Sequence, residues 1–164
     1  MNGQLLASGT FWFAQSPERI GPAPDALAAH HVLSSGLLAG PLIPMLTVQS
    51  GGEWFTLRGD GVATVEGRHT LRTAAQEFVF ARISGLYDLG EDGFERGLHC
   101  GGLQGTARAE LAVRYHTASS RYCWLNRLQC LVLGERDFSN SSLMASIYGF
   151  GEYAAFVAGT TEVS

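Results

Sequence analysis

Lysine is absent from all 164 residues, and acidic and basic side chains together make up only 16% of the chain. Without a lysine amine, Schiff-base catalysis on that side chain is excluded. So few charges also count against a bundle of helices with solvated charged faces. The 11 basic side chains, all arginine, are outnumbered by 15 acids, for a net charge of -4. A phosphate-tracking surface needs clustered cations, so nucleic acid is not an expected partner. Cysteine is scarce too. Cys100, Cys123 and Cys130 lie too far apart for a CxxC metal or redox motif. Their odd number, with no leader-like segment ahead of them, leads to the expectation of a reduced, cytoplasmic protein. No apolar run approaches the roughly 20 residues of a membrane-spanning helix, so no membrane association is expected.

What the chain has instead is 21 glycines and nine phenylalanines, a composition suited to short strands and frequent turns. Its length predicts one domain with a substantial core. The clearest pattern is Ala107 to Leu133. Ala107, Ala109, Leu111, Val113 and Tyr115 alternate with Arg108, Glu110, Ala112, Arg114 and His116, as a half-buried antiparallel strand requires. Thr117-Ala118-Ser119-Ser120 reads as a tight turn, and Arg121 onward as the returning strand. On that reading Cys123 and Cys130 face opposite ways and cannot pair.

Other strands are expected at Leu5 to Ala14, from about Met45, at Glu53 to Arg58, at Val62 to Arg72, at Glu77 to Ser84 and from Ser142 to Val157. Gly59-Asp60-Gly61 is a hairpin turn, and Gly51-Gly52 reads as another. Ser16 to Asp25 and Ser34 to Leu38 read as loop and turn. Asp25 to Leu33 suits a short capped helix as well as a strand. Pro41 and Pro44 keep pairing from starting before Met45. Gly85 to Gly105 reads as one long irregular segment, hence a lid. Eight or nine strands joined mainly by short turns fit an all-β fold, a single antiparallel barrel.

Five landmarks fall in order: Gly36-Leu37-Leu38-Ala39-Gly40-Pro41, Gly51-Gly52-Glu53-Trp54, Arg58-Gly59-Asp60-Gly61, Arg68-His69-Thr70-Leu71-Arg72-Thr73 and Tyr122-Cys123-Trp124-Leu125-Asn126. In these the chain resembles the bacterial and fungal family catalogued as domain of unknown function 3237. The resemblance covers about Leu5 to Tyr148. It implies a small up-and-down β-barrel of calycin-like or allene-oxide-cyclase-like form and a site position, but no reaction. The family more often has Asp where this chain has Glu53, which keeps a carboxylate and lengthens its reach.

A ligand-binding barrel should present a few polar groups among aromatics in a hollow lumen. Glu53, beside Trp54, is the candidate acid–base group, because desolvation raises a carboxyl pKa toward neutrality. Asn126 either holds a ligand carbonyl or satisfies barrel backbone. His69, on an apolar face, is a structural histidine or a reserve proton carrier. Trp54, Tyr115, Tyr122, Trp124, Phe78, Phe80 and Arg72 are the candidate substrate-binding residues. His30-His31, with His99 and Cys100, lacks zinc-ligand spacing, and neither metal nor cofactor is expected. No serine lies in a GxSxG setting.

The expected function is a cofactor-independent isomerase or cyclase acting on an apolar small molecule, such as a polyketide-type natural-product intermediate. A non-catalytic carrier or sensor barrel and a filled structural barrel are the alternatives. A homodimer is compatible with the sequence, which does not decide the oligomeric state.

Overall fold

The computed structural model describes residues 3–23, 26–99 and 103–151. Nine strands form one antiparallel sheet. They are β1 (Gln4–Phe13), β2 (Glu18–Ala23), β3 (Ala26–Ala39), β4 (Leu46–Arg58), β5 (Val62–Thr73), β6 (Phe78–Asp88), β7 (Thr106–Thr117), β8 (Gln129–Asp137) and β9 (Ser142–Phe150). A short helix α1 (Gly93–His99) precedes β7, and a 3₁₀ helix (Cys123–Arg127) precedes β8. From β3 to β9 each strand pairs with the next, and β1 closes the ring by pairing with both β9 and β3. The result is the expected closed barrel of eight strands, with β2 as one extra strand. No helix among the described residues is long and apolar enough to cross a membrane.

The closing seam has an asymmetry that matters later. Leu33 to Ala39 of β3 pair with β1, whereas Ala26 to His30 pair with β2 on the same edge. Beyond Phe13 the barrel wall therefore passes from β1 to β2, and the intervening link bows out at one mouth. The opposite mouth is closed by Ile43, Tyr122, Trp124 and Leu125, all buried.

Between the mouths, alternate residues point inward along most of the strands, as the period of two requires. β7 obeys the alternation read from its sequence: Ala107, Ala109, Leu111, Val113 and Tyr115 are buried. In β4 the alternation breaks, and the break decides the site. Leu46 and Val48 face inward, and an uninterrupted strand would then bring Trp54 inside. The register slips between Val48 and Ser50, and Gly51 adopts φ +152, where a Cβ would lie 2.5 Å from the Arg68 carbonyl oxygen. This bulge reverses the parity of the strand. Glu53, Phe55 and Leu57 turn in, and Trp54 turns out with 48% of its surface exposed. The glycine pair is thus a bulge inside one strand, not a turn between two.

Asp25 to Leu33, which suits helix and strand alike, is strand from Ala26, because both edges find partners. Further expectations are corrected. β3 continues through Ser34 to Leu38, paired with β1. Ser16 to Asp25 contains β2. Gly85 to Gly105 is not one irregular segment: β6 runs to Asp88 and α1 follows. The segment after β7 does not return at once as a strand. Tyr122 to Arg127 wraps across the barrel end, with Leu125 N–H bonded to the Tyr122 carbonyl, and β8 starts only at Gln129. Cys123 is therefore exposed on the 3₁₀ helix while Cys130 is buried in β8. Cys100 and the end of the strand expected to run to Val157 lie outside the described residues.

Candidate functional site

Five polar side chains from five strands meet in the barrel interior: His31 (β3), Glu53 (β4), His69 (β5), Tyr87 (β6) and Arg136 (β8). None is more than 2% exposed. Gly67, directly across the ladder from Glu53, makes room for it, since a Cβ there would lie 3.1 Å from Glu53 Cγ.

The hydroxyl of Tyr87 donates to Glu53 Oε2 over 2.7 Å. The other carboxyl oxygen, Oε1, lies 3.6 Å from His69 Nε2, too far for a hydrogen bond. Arg136 donates from Nη2 to His31 Nδ1 over 2.6 Å and from Nη1 to the Ser142 carbonyl over 2.9 Å. His31 Nε2 donates to the Ala14 carbonyl. A ring that accepts from a guanidinium at one nitrogen and donates at the other is neutral, with its proton on Nε2. Phe13 and Phe138 enclose the guanidinium, their centroids 3.8 and 4.8 Å from Cζ.

Desolvation governs the titration of the group. It raises the Glu53 carboxyl above its ordinary value, against the opposing pull of Arg136 and the Tyr87 hydrogen bond. It pushes His69 down to about 4. His31 is also held at about 4, by burial and then by the Arg136 charge, against its bond to Ala14. Burial, then the neighbouring Glu53 charge, raises Tyr87 well above the usual phenol range. Glu53 Oε1, His69 Nε2 and Arg136 Nε are buried without a hydrogen-bond partner among the described residues. Such groups normally cost stability, and they concentrate where chemistry is done.

Two spaces adjoin this cluster. Deeper in the barrel, a cavity of about 20 Å³ is bounded by Phe11, His69, Tyr115 and aliphatic side chains. It has room for about one water molecule. Among the described residues this small cavity lies within a lumen lined mostly by buried side chains, far smaller than the hollow expected from the sequence. Toward the open mouth, the link after β1 bows out over a concavity of about 450 Å³, lined by Gln15, Ser16, Arg19, Leu27, Leu103 and Phe138 among others. Phe138 is its floor and also packs on Phe55 and Tyr87, with centroids 5.7 and 6.0 Å apart. Phe138 thus touches the concavity on one side and Tyr87, the hydrogen-bond partner of Glu53, on the other.

The sequence-derived candidates divide into three places. Glu53 and His69 are together inside. Tyr115 is also inside, on the small cavity, with its hydroxyl pKa raised by burial. Tyr122 and Trp124 are buried in the end cap. Asn126, on the outer side of that cap, clasps one residue: it accepts from Thr117 N–H over 2.8 Å and donates to the Thr117 carbonyl over 2.9 Å. Of its two expected roles it takes the backbone one, away from Glu53. Trp54, Phe78, Phe80 and Arg72 lie on the outer wall, with Arg72 5.2 Å from the Phe78 ring centroid. They do not share the enclosure of Glu53.

Tyr87 and Arg136 were not among the candidates, and His31 entered only in the metal reading that the spacing rejects. Arg136 had a legible signal, since it shares a strand face with Cys130 and Val132. Among the described residues no group of three or more His, Cys, Asp or Glu side chains is placed to hold a metal ion.

The family described as "Protein of unknown function (DUF3237)" matches residues 10–149. The chain belongs to that family. The solved structures it resembles include a protein with unknown function from Clostridium acetobutylicum ATCC 824, at 16% identity and a TM-score of 0.78, covering 92% of this chain and all of that one. A beta-barrel like protein from Acinetobacter baumannii AYE matches at 16% identity and a TM-score of 0.74, over 90% of this chain and 94% of its own. An enzyme from Penicillium herquei matches at 18% identity and a TM-score of 0.66, over 90% and 93%. At these identities the likeness shows a shared barrel fold. No curated protein matches.

Proposed function

We propose that this barrel is a cofactor-independent enzyme that moves a proton on a small apolar molecule, as an isomerase or cyclase does, with Glu53 as the acid–base group. One observation carries the reading: a carboxyl, a guanidinium and a phenol are withdrawn together from water inside a small barrel. Apolar packing would fill that space at less cost. Burial tunes Glu53 toward neutrality, where a general acid–base is most effective.

The substrate docks in the concavity at the open mouth, and displacement of the Phe138 ring brings it to the cluster. Glu53 takes a proton from a carbon next to a carbonyl and returns it at a second position, so the reaction is a net isomerisation. The negative charge that develops on the carbonyl oxygen meets the Tyr87 hydroxyl and the Arg136 guanidinium, donors already fixed in a dry setting. His31 holds the guanidinium in place. His69, the reserve proton carrier, stands on the far side of Glu53.

A carrier or sensor without turnover is the second reading. It is favoured by the fact that the mouth concavity is already formed while Glu53 is wholly buried. Ring opening of 5-nitrobenzisoxazole, a flat apolar compound opened by loss of one carbon-bound proton, separates the two. The wild type should accelerate it, and Glu53→Gln should lower that rate by roughly 100-fold. A wild-type rate equal to that of buffer, or one unchanged in Glu53→Gln, overturns the catalytic reading.

A further inference from the structure

The outer wall of β5, β6 and β7 carries a row of three arginines. Arg68 lies directly opposite Arg82 in the ladder, and Arg82 directly opposite Arg114. All three are exposed. Like charges set side by side across strands destabilise a sheet. Among the described residues neither Arg68 nor Arg82 makes an ion pair, and Arg114 bonds only to the neutral Gln129, over 3.2 Å. Other exposed arginines are engaged: Arg58 with Asp60, Arg96 with Asp92, and Arg108 with Asp88 and Glu110. This unpaired row sits on a chain whose net charge is -4.

The row borders a surface concavity of about 580 Å³, lined by Trp54, Glu66, Arg68, Arg82 and Ser84 among others. Gly52 stands opposite Arg68 on the next strand, and the His30 ring lies over it, its Nε2 2.6 Å from where a Cβ would stand. The indole of Trp54 forms the wall. One of its faces is stacked on His30, with centroids 4.3 Å apart and planes 21° apart, while 48% of the residue is exposed. A flat apolar surface therefore stands beside two unpaired guanidinium groups. Glu66 is the single carboxylate in the concavity.

We infer that this wall holds a second binding site, separate from the barrel interior, for a phosphate monoester that carries an aromatic ring. Arg68 and Arg82 take the phosphate oxygens, for which the planar guanidinium is the best-matched side chain. The ring of the ligand covers the open face of Trp54. Ser84 adds a hydroxyl donor.

Calorimetric titration of the full chain with phenyl phosphate and with inorganic phosphate tests this. Phenyl phosphate should bind more tightly than inorganic phosphate. Arg68→Gln and Arg82→Gln should each weaken phenyl phosphate about tenfold or more, as loss of a charge-assisted hydrogen bond does. Arg108→Gln, whose arginine is already paired, should leave binding unchanged. Trp54→Ala should abolish the preference for phenyl phosphate over inorganic phosphate. Glu53→Gln should bind as the wild type does, so failure here and failure of the catalytic reading are told apart. No binding, equal binding in Arg82→Gln, or a preference that survives Trp54→Ala would overturn the inference.

Discussion

Tyr87 and Glu53 come from strands separated by β5, and the hydroxyl of the first is the hydrogen-bond donor to the carboxyl of the second, over 2.7 Å. Tyr87→Phe removes that donor and leaves both Glu53 oxygens unpaired. The expected loss is about 1–3 kcal/mol in chemical denaturation. The bond lowers the Glu53 pKa, so the variant should titrate at a higher pH than the wild type. A variant as stable as the wild type would show that the contact contributes nothing.

Acid should destabilise the barrel in a defined window. His31 and His69 titrate at about 4 in the folded protein, against an ordinary 6.5. Between those values the unfolded chain takes up protons that the folded one refuses, so stability is full above pH 6.5 and is lost as pH falls to about 4. Each histidine contributes roughly 3 kcal/mol to that loss. His69→Gln should flatten the slope of unfolding free energy against pH in this window, and an unchanged slope would refute the assignment.

Glu53 acts in the opposite sense. Its folded value is raised above 4.5, so its contribution is full below 4.5 and is lost as pH rises through the folded value. Glu53→Gln, which keeps the shape and an acceptor for Tyr87, should remove that alkaline-side loss. Denaturation at several pH values from 5 upward would show it.

Arg136→Met should cost about 3–5 kcal/mol, because His31 and the Ser142 carbonyl lose their donor and Glu53 loses its opposing charge. Combined with Glu53→Gln the cost should be smaller than the sum of the two, a coupling that a double-mutant cycle measures. Strict additivity would mean that the two charges do not sense each other.

Phe138→Ala opens the mouth onto the cluster. It should cost about 3–5 kcal/mol for the lost ring and raise the rate of 5-nitrobenzisoxazole opening if the ring gates access. Asn126→Ala is the contrast: it should lose stability with no shift in the Glu53 titration.

The barrel was legible where local chemistry has one meaning. Strict alternation in β7 and the Gly59-Asp60-Gly61 turn each admitted a single reading. The site was half legible. Glu53 and His69 stood out as polar groups in apolar surroundings, yet Gly51-Gly52 suits a turn and a bulge alike, and only the paired neighbours show which. That ambiguity put Trp54 inside and hid the parity that Glu53 depends on. Tyr87 was missed because the glycines from Gly85 onward made the end of β6 look irregular. Arg136 was missed because an arginine on a strand is normally solvated, and its burial depends on Phe13, Phe138 and His31, far away in sequence.

The catalytic proposal and the pH behaviour both rest on burial raising one carboxyl above its ordinary value. Carbon-13 NMR of the glutamate carboxyl groups across pH, with Glu53→Gln to assign the signal, measures this. Glu53 should titrate clearly above 4.5, and higher still in Arg136→Met. A Glu53 midpoint at or below 4.5 would contradict it.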